Sequence, residues 1–375
     1  MGQQSLPISS LHALRGLAAL LVMVMHFDSM AVHLNLPKAG VFISNCYLMV
    51  DLFFMMSGFI MMHVYGPEFE KGLTSSKVKQ FFRARLARIY PLHLLVLLVL
   101  ILMVYGHLNP YMSGTLTDMI HAPSAFVTNV FLLQSFGLHS IFTWNPPSWS
   151  ISAEAFAYLL FPILFWFTKH YKYALVFLAL MAFVLYLGVI YFVPRPQVPW
   201  NLPNLHDLNV SYEFGYLRGL AGFICGMISY RIYHRKKLVT RISRDWLVIL
   251  LIIILVLCMQ NHINNLMYVP LLMLLVIQSA ANNGMVKAFC LLKPLQFLGT
   301  ISYSIYLWHY LMILCVAIPA IDLAGYHYTA PGSVLVNELQ WLVMLVLFAT
   351  AVVVFSWLSF RFIEKPLREI FRGKK

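Results

Sequence analysis

The strongest constraint on this chain is an alternation: apolar runs of roughly 20 residues, bordered at one end by Lys and Arg and at the other by loops nearly free of positive charge. Wound as a helix, such a run crosses a hydrocarbon core of about 30 Å while satisfying its own backbone hydrogen bonds. With 61% hydrophobic and 10% charged residues and a mean hydropathy of +0.78, the 375-residue chain is no soluble fold, disordered chain or secreted disulfide scaffold. The pattern predicts an all-α fold, a polytopic integral membrane bundle.

The net charge of +13 is concentrated in blocks rather than spread over one face. Six basic residues lie between Lys71 and Arg88, six between Arg231 and Arg244 and six between Arg361 and Lys375, whereas residues 106–145 contain none. Positive charge gathers in cytoplasmic connections. The alternation therefore predicts about ten transmembrane helices, over 11–30, 41–64, 89–105, 149–168, 173–193, 214–233, 246–261, 266–281, 295–318 and 338–360, with both termini cytoplasmic. Residues 124–137 form an apolar stretch too short to span and suit a re-entrant or interfacial helix. Neither an internal repeat nor an interdomain linker divides the chain, so residues 1–375 read as a single membrane domain with no fused soluble domain. The basic surface then belongs to the cytoplasmic leaflet of the lipid bilayer, or to an anionic cytosolic ligand, and not to nucleic acid.

Metal and disulfide chemistry find little support. The five cysteines show no CxxC spacing, and His107, His121, His139, His206, His262 and His327 fall in outer loops without an HxxxH or HxxH pair, so no metal is expected. Gly215, Gly219, Gly222 and Gly226 lie along one helix face and predict close helix packing.

Ionisable groups inside the apolar runs carry the functional signal, because charge in hydrocarbon costs about 2.5 kcal/mol or more on insertion scales. Arg15 and His26 in the first run are about 16 Å apart along a helix and about 20° apart around it, on one face that a cavity could use. A snorkelling Arg and a packing His are the plain alternative. Asp51 in the second run should lie at the depth of His26, where a carboxylate can fix the imidazole tautomer. The block Arg83, Arg85 and Arg88 is either a topology signal or a cytosolic phosphate site. Glu154, one turn into the fourth run, needs a buried partner. Arg218 lies a little over one turn past Glu213, which makes an interfacial ion pair one reading of that charge.

In order along nearly the whole chain, these residues resemble the bacterial membrane acyltransferases of the acyltransferase 3 family. The resemblance rests on Arg15-x10-His26, Asp51 with Ser57-Gly58-Phe59, Arg83-x-Arg85 with Arg88-Ile89-Tyr90-Pro91, and Trp149-Ser150-x3-Glu154 with Pro162. It continues through Arg218, Phe223 and Gly226, then Gly299-x2-Ser302-Tyr303-x2-Tyr306-Leu307-x-His309, and ends at Glu364-Lys365-Pro366. It implies transfer of an acyl group, most often acetyl, from cytosolic acyl-CoA to a hydroxyl of a cell-envelope glycan or lipid-linked sugar, in the bacterial inner membrane. Acetyl-CoA would be the co-substrate.

A sugar hydroxyl attacks a thioester slowly unless a base takes its proton, and an imidazole suits that task at neutral pH. His26 is the expected general base, with Asp51 and Glu154 as further catalytic candidates. Arg83, Arg85 and Arg88 are expected to hold the donor's phosphates at the inner face, and Arg15 to bind the donor where its thin arm enters. Acceptor binding and oxyanion donation fall to Trp149, Ser150, Arg218, Ser302, Tyr303, Tyr306 and His309. A Tyr-rich helix seam is the competing account of the last group. Glu364 is expected to be structural, paired with an arginine of the 83–88 block. The alternative activity, a secondary transporter or flippase, would show repeated halves and interrupted helices, which the sequence lacks.

Overall fold

A computed structural model of the chain describes residues 8–34, 37–107, 122–193, 208–261, 263–329, 331 and 333–372. His121, His206 and His262 lie outside the described residues, as do the two chain termini. The helices are α1 Ser9–Met30, α2 Pro37–Ser44, α3 Met49–Glu70, α4 Ser75–Tyr105, α5 Pro123–Val130, α6 Trp149–His170, α7 Ala174–Tyr191, α8 Gly215–Tyr233, α9 Lys236–Ile242, α10 Asp245–Gln260, α11 Tyr268–Ala281 and α12 Met285–Cys290. They continue as α13 Lys293–Met312, α14 Ile318–Leu323, α15 Glu338–Ser359 and α16 Lys365–Arg372, with π-helical turns at Ile313–Ala317 and Phe360–Glu364.

Seven of these helices or continuous helical stretches are long and apolar enough to cross a membrane, or eight when α9 and α10, which meet at 67°, are counted as one span. The expected spans 214–233 and 266–281 correspond to helices that miss that test for different reasons. The first carries Arg218 and four glycines within α8, and the second is short. The apolar stretch 124–137 begins with α5 and continues as turns.

Helix starts follow local chemistry. Thr74 caps α4 by accepting from the Lys77 N–H, and Asn337 and Gln340 form a reciprocal capping box at α15. A two-residue parallel ladder pairs β1 His33–Leu34 with β2 Leu335–Val336, so the segment after α1 and the segment before α15 lie at the same end of the bundle.

The most extensive helix contacts are α1 with α13 and α3 with α8. Both depend on glycine. A Cβ on Gly16 would meet the backbone of Leu298 and Gly299, and one on Gly299 would meet the His12 carbonyl. A Cβ on Gly58 would strike the Phe223 carbonyl, and one on Gly226 the Met55 carbonyl. The glycine face of α8 thus serves helix packing: Gly226 and Gly222 face α3, and Gly219 and Gly215 face Ala153 and Trp149 of α6.

Candidate functional site

Helices α1, α3, α4, α6 and α13 enclose an open cavity of about 110 Å³. Its two ends differ in chemistry. Arg15, Arg85 and Arg88 line one end, Ser150 and Tyr306 the other, and Glu154 lies between them. Arg85 and Arg88 are three residues apart on α4 and share a face. Arg83 is two residues from Arg85, about 200° around the helix, and cannot share it. It is exposed, and its Nε donates to the Phe371 carbonyl at 2.9 Å. The expectation that Arg83, Arg85 and Arg88 act as one cluster is corrected accordingly: Arg15 of α1 takes the third place.

The three cavity arginines are held differently. Arg85 donates to the Tyr65 hydroxyl at 3.0 Å and lies over the rings of Tyr65 and Tyr158, 5.2 and 5.9 Å from their centroids. Arg15 and Arg88 line the cavity and make no hydrogen bond or ion pair among the described residues. Unpaired guanidinium groups facing one cavity favour an anion between them.

Glu154 finds the partners it needs. Ser57 Oγ donates to its Oε1 at 2.7 Å, and the Tyr158 hydroxyl donates to the same oxygen at 2.5 Å. Tyr158 was missed by reading the sequence, yet it lies at i+4 from Glu154 and so on the same helix face. At the far end, Ser150 Oγ donates to Tyr306 Oη at 2.8 Å, and Tyr306 donates to the Pro147 carbonyl at 3.0 Å. Ser302 Oγ donates to the Gly299 carbonyl at 2.9 Å, and the Tyr303 hydroxyl donates to the Ile89 carbonyl. These tyrosines line the cavity and also stitch α13 to α4 and to the start of α6.

Asp51 and Arg218 are elsewhere. Arg218 Nε lies 3.0 Å from Asp51 Oδ1 and Nη2 2.6 Å from Oδ2, a bidentate pair with both side chains fully buried. Nη1 and Nη2 donate to the Val210 and Tyr47 carbonyls at 3.1 and 3.2 Å, and the Tyr47 and Trp149 rings lie 5.3 and 5.4 Å from the guanidinium carbon. This bond takes the place of the expected Asp51–His26 contact and of the Arg218–Glu213 ion pair that was the competing reading of Arg218. The reason is the α3–α8 glycine contact, which brings the two helices close enough for Asp51 and Arg218 to meet. Trp149 acts here as a wall for Arg218. Glu364 is buried, and its partners differ from the expected arginine of the 83–88 block: it accepts from Ser304 Oγ at 2.7 Å and has Arg368 at 3.9 Å.

His26 meets His309 instead of a carboxylate. His309 Nε2 and His26 Nδ1 are 3.2 Å apart, with ring centroids 4.9 Å apart. Neither ring is among the cavity-lining residues; Tyr306, which is, meets His309 edge-on at 5.8 Å. Arg15 and His26 therefore share a helix face, but only Arg15 opens onto the cavity.

Residues 8–361 match the acyltransferase 3 family, described as an acyltransferase domain. The peptidoglycan O-acetyltransferase OatA of Listeria monocytogenes is 28% identical over 385 residues, covering 96% of this chain and 56% of that protein. A putative O-acetyltransferase of Staphylococcus aureus (strain COL) is 24% identical, covering 96% of this chain and 57% of its own length. The acyltransferase MdmB of Streptomyces mycarofaciens is 32% identical over 117 residues, 30% of this chain and 27% of that protein. The chain thus spans a little over half the length of the two relatives that cover it almost completely. No solved structure matches it.

Proposed function

The chain belongs to the acyltransferase 3 family, and on that footing we propose that it is a multi-pass O-acyltransferase of the bacterial inner membrane, moving an acetyl group from cytosolic acetyl-CoA to a hydroxyl of a cell-envelope glycan. One observation carries the reading: a cavity lined by three guanidinium groups at one end, two of them unpaired, and by hydroxyl groups at the other. Acetyl-CoA carries complementary groups in the same order, a phosphate-rich head and a thin arm ending in the thioester. Its phosphates stay at the basic, cytoplasmic end, because a polyanion cannot enter an apolar bundle cheaply. The arm passes Glu154 toward Tyr306, beyond which the histidine pair waits.

In the reaction, His26 Nε2 takes the proton of the acceptor hydroxyl as its oxygen bonds to the thioester carbon. Negative charge on the carbonyl oxygen is met by the Tyr306 hydroxyl, whose proton turns to it from the Pro147 carbonyl. Collapse breaks the C–S bond, and the proton on Nε2 passes to the departing sulfur. Atoms and charge balance without a metal or an external oxidant. The position of Glu154 inside the cavity favours a second assignment of the base, with Glu154 taking the proton in place of His26. Its Oε1 is already engaged by two hydroxyl donors, which makes it the weaker candidate.

The test uses purified protein in nanodiscs with radiolabelled acetyl-CoA and a peptidoglycan-derived disaccharide or an O-antigen oligosaccharide. His26→Ala is expected to lower transfer by about 100-fold or more, the usual scale of general-base loss. Undiminished transfer in that variant, with loss in Glu154→Gln, moves the base to Glu154. Movement of substrate across the bilayer without any transfer supports the transporter reading. On the donor side, Arg15→Ala and Arg88→Ala should each weaken acetyl-CoA binding by about 10-fold or more, as expected for lost charge-assisted hydrogen bonds, and Arg83→Ala should weaken it less. Equal weakening of acceptor and donor binding would count against a phosphate site.

A further inference from the structure

His26 has no carboxylate to orient it. Asp51 is saturated by Arg218. Asp28, two residues along α1, accepts from the Leu34 N–H at 3.0 Å and Trp341 Nε1 at 2.9 Å and has His33 at 3.1 Å. His309 occupies the place such a group would take, and its protonation pattern can be read from its partners.

A backbone carbonyl only accepts. His309 Nδ1 lies 3.1 Å from the Ile305 carbonyl and His26 Nδ1 lies 3.0 Å from the Val22 carbonyl, each four residues back along its own helix. In each neutral ring the proton therefore sits on Nδ1. His309 Nε2 is left with a lone pair, 3.2 Å from His26 Nδ1, and accepts the proton that this atom shares with Val22. One nitrogen remains without a partner among the described residues. That atom is His26 Nε2, on a half-buried side chain, whereas His309 is fully buried with both nitrogens engaged.

We propose that His309 is the positioning residue for His26: a buried neutral imidazole, locked as an acceptor by Ile305, that turns His26 so that its Nε2 lone pair faces the reacting hydroxyl. When Nε2 takes the acceptor's proton, the imidazolium that forms is held through Nδ1–H on His309 Nε2. When Nε2 gives that proton to the departing sulfur, the pair returns to its starting state. A neutral partner fits a dry bundle better than a carboxylate, because no charge is buried between turnovers. The inference deepens the assignment of His26 as base and rests on it. It also reassigns His309 from substrate contact to orientation.

Two measurements separate the claims. In full-length protein carrying 15N-histidine, a coupling across the hydrogen bond should connect a protonated His26 Nδ1 with an unprotonated His309 Nε2, signals identified by their loss in His26→Ala and His309→Gln. Protonation of His26 at Nε2, or absence of the coupling, overturns the inference whatever the activity. Kinetically, His309→Leu should lower kcat by about 100-fold with KM for acetyl-CoA unchanged, and His309→Gln, whose amide oxygen can accept from Nδ1–H, should recover most of the loss. Equal loss in both variants, or a loss expressed in KM, also overturns it. A coupling present in a protein that transfers nothing would sink the proposed activity and leave the hydrogen bond standing.

Discussion

Among the described residues, Asp51 and Arg218 answer each other's buried charge, whereas Arg15 and Arg88 face the cavity without a partner, and the distinction separates framework from candidate site. The Asp51–Arg218 pair belongs to the framework: bidentate, walled by Tyr47 and Trp149, and closed to solvent. Removing one member strands the other. Arg218→Ala should therefore destabilise the protein by about 3–5 kcal/mol, measured by thermal unfolding in detergent, and donor and acceptor binding should fall together. A stable variant with selective loss of acceptor binding would restore Arg218 to the substrate site. Arg15 and Arg88, by contrast, keep their guanidinium groups free at the cavity. The sequence exposes all four residues as charges in apolar or flanking segments. Which of them pair depends on contacts between α3 and α8, more than 160 residues apart along the chain.

At the level of elements, two glycine contacts set the depths at which side chains meet. Gly16 and Gly299 join α1 and α13, which run parallel, and His26 and His309 each lie ten residues beyond their glycine. Equal offsets of about 15 Å along parallel helices bring the two rings to one level. Gly16→Val should push the helices apart, costing about 2 kcal/mol or more in the manner of overpacked cores, and should separate the rings. The check is a thermal midpoint together with the transfer assay; a variant as stable and as active as the parent would refute the contact. The Gly-x9-His spacing is visible on both helices once they are known to be neighbours, and nothing in either segment alone names the other. Helix phase was more legible: 83 and 85 point apart while 85 and 88 share a face, as the 100° step per residue requires.

At the level of the molecule, five helices drawn from residues 9–312 close around one cavity, with its basic end set by the Lys71–Arg88 block. If that end faces the cytoplasm, Lys79→Cys in a cysteine-free background should resist a membrane-impermeant maleimide in intact cells and react after permeabilisation, whereas Glu338→Cys should react in both. The reverse pattern would invert the proposed direction of transfer. The sequence by itself determined the class of the molecule, a helical membrane bundle, its family, and the side chains that carry charge into it, because hydropathy, positive-charge bias and ordered motifs are properties of contiguous residues. Only the tertiary structure decided that Asp51 serves Arg218, that Arg83 turns away from the cavity, and that an imidazole rather than a carboxylate stands behind His26. Those outcomes depend on which helices touch and in what register, and a membrane helix finds its neighbours through small-residue contacts and hydrogen bonds whose two halves lie far apart along the chain.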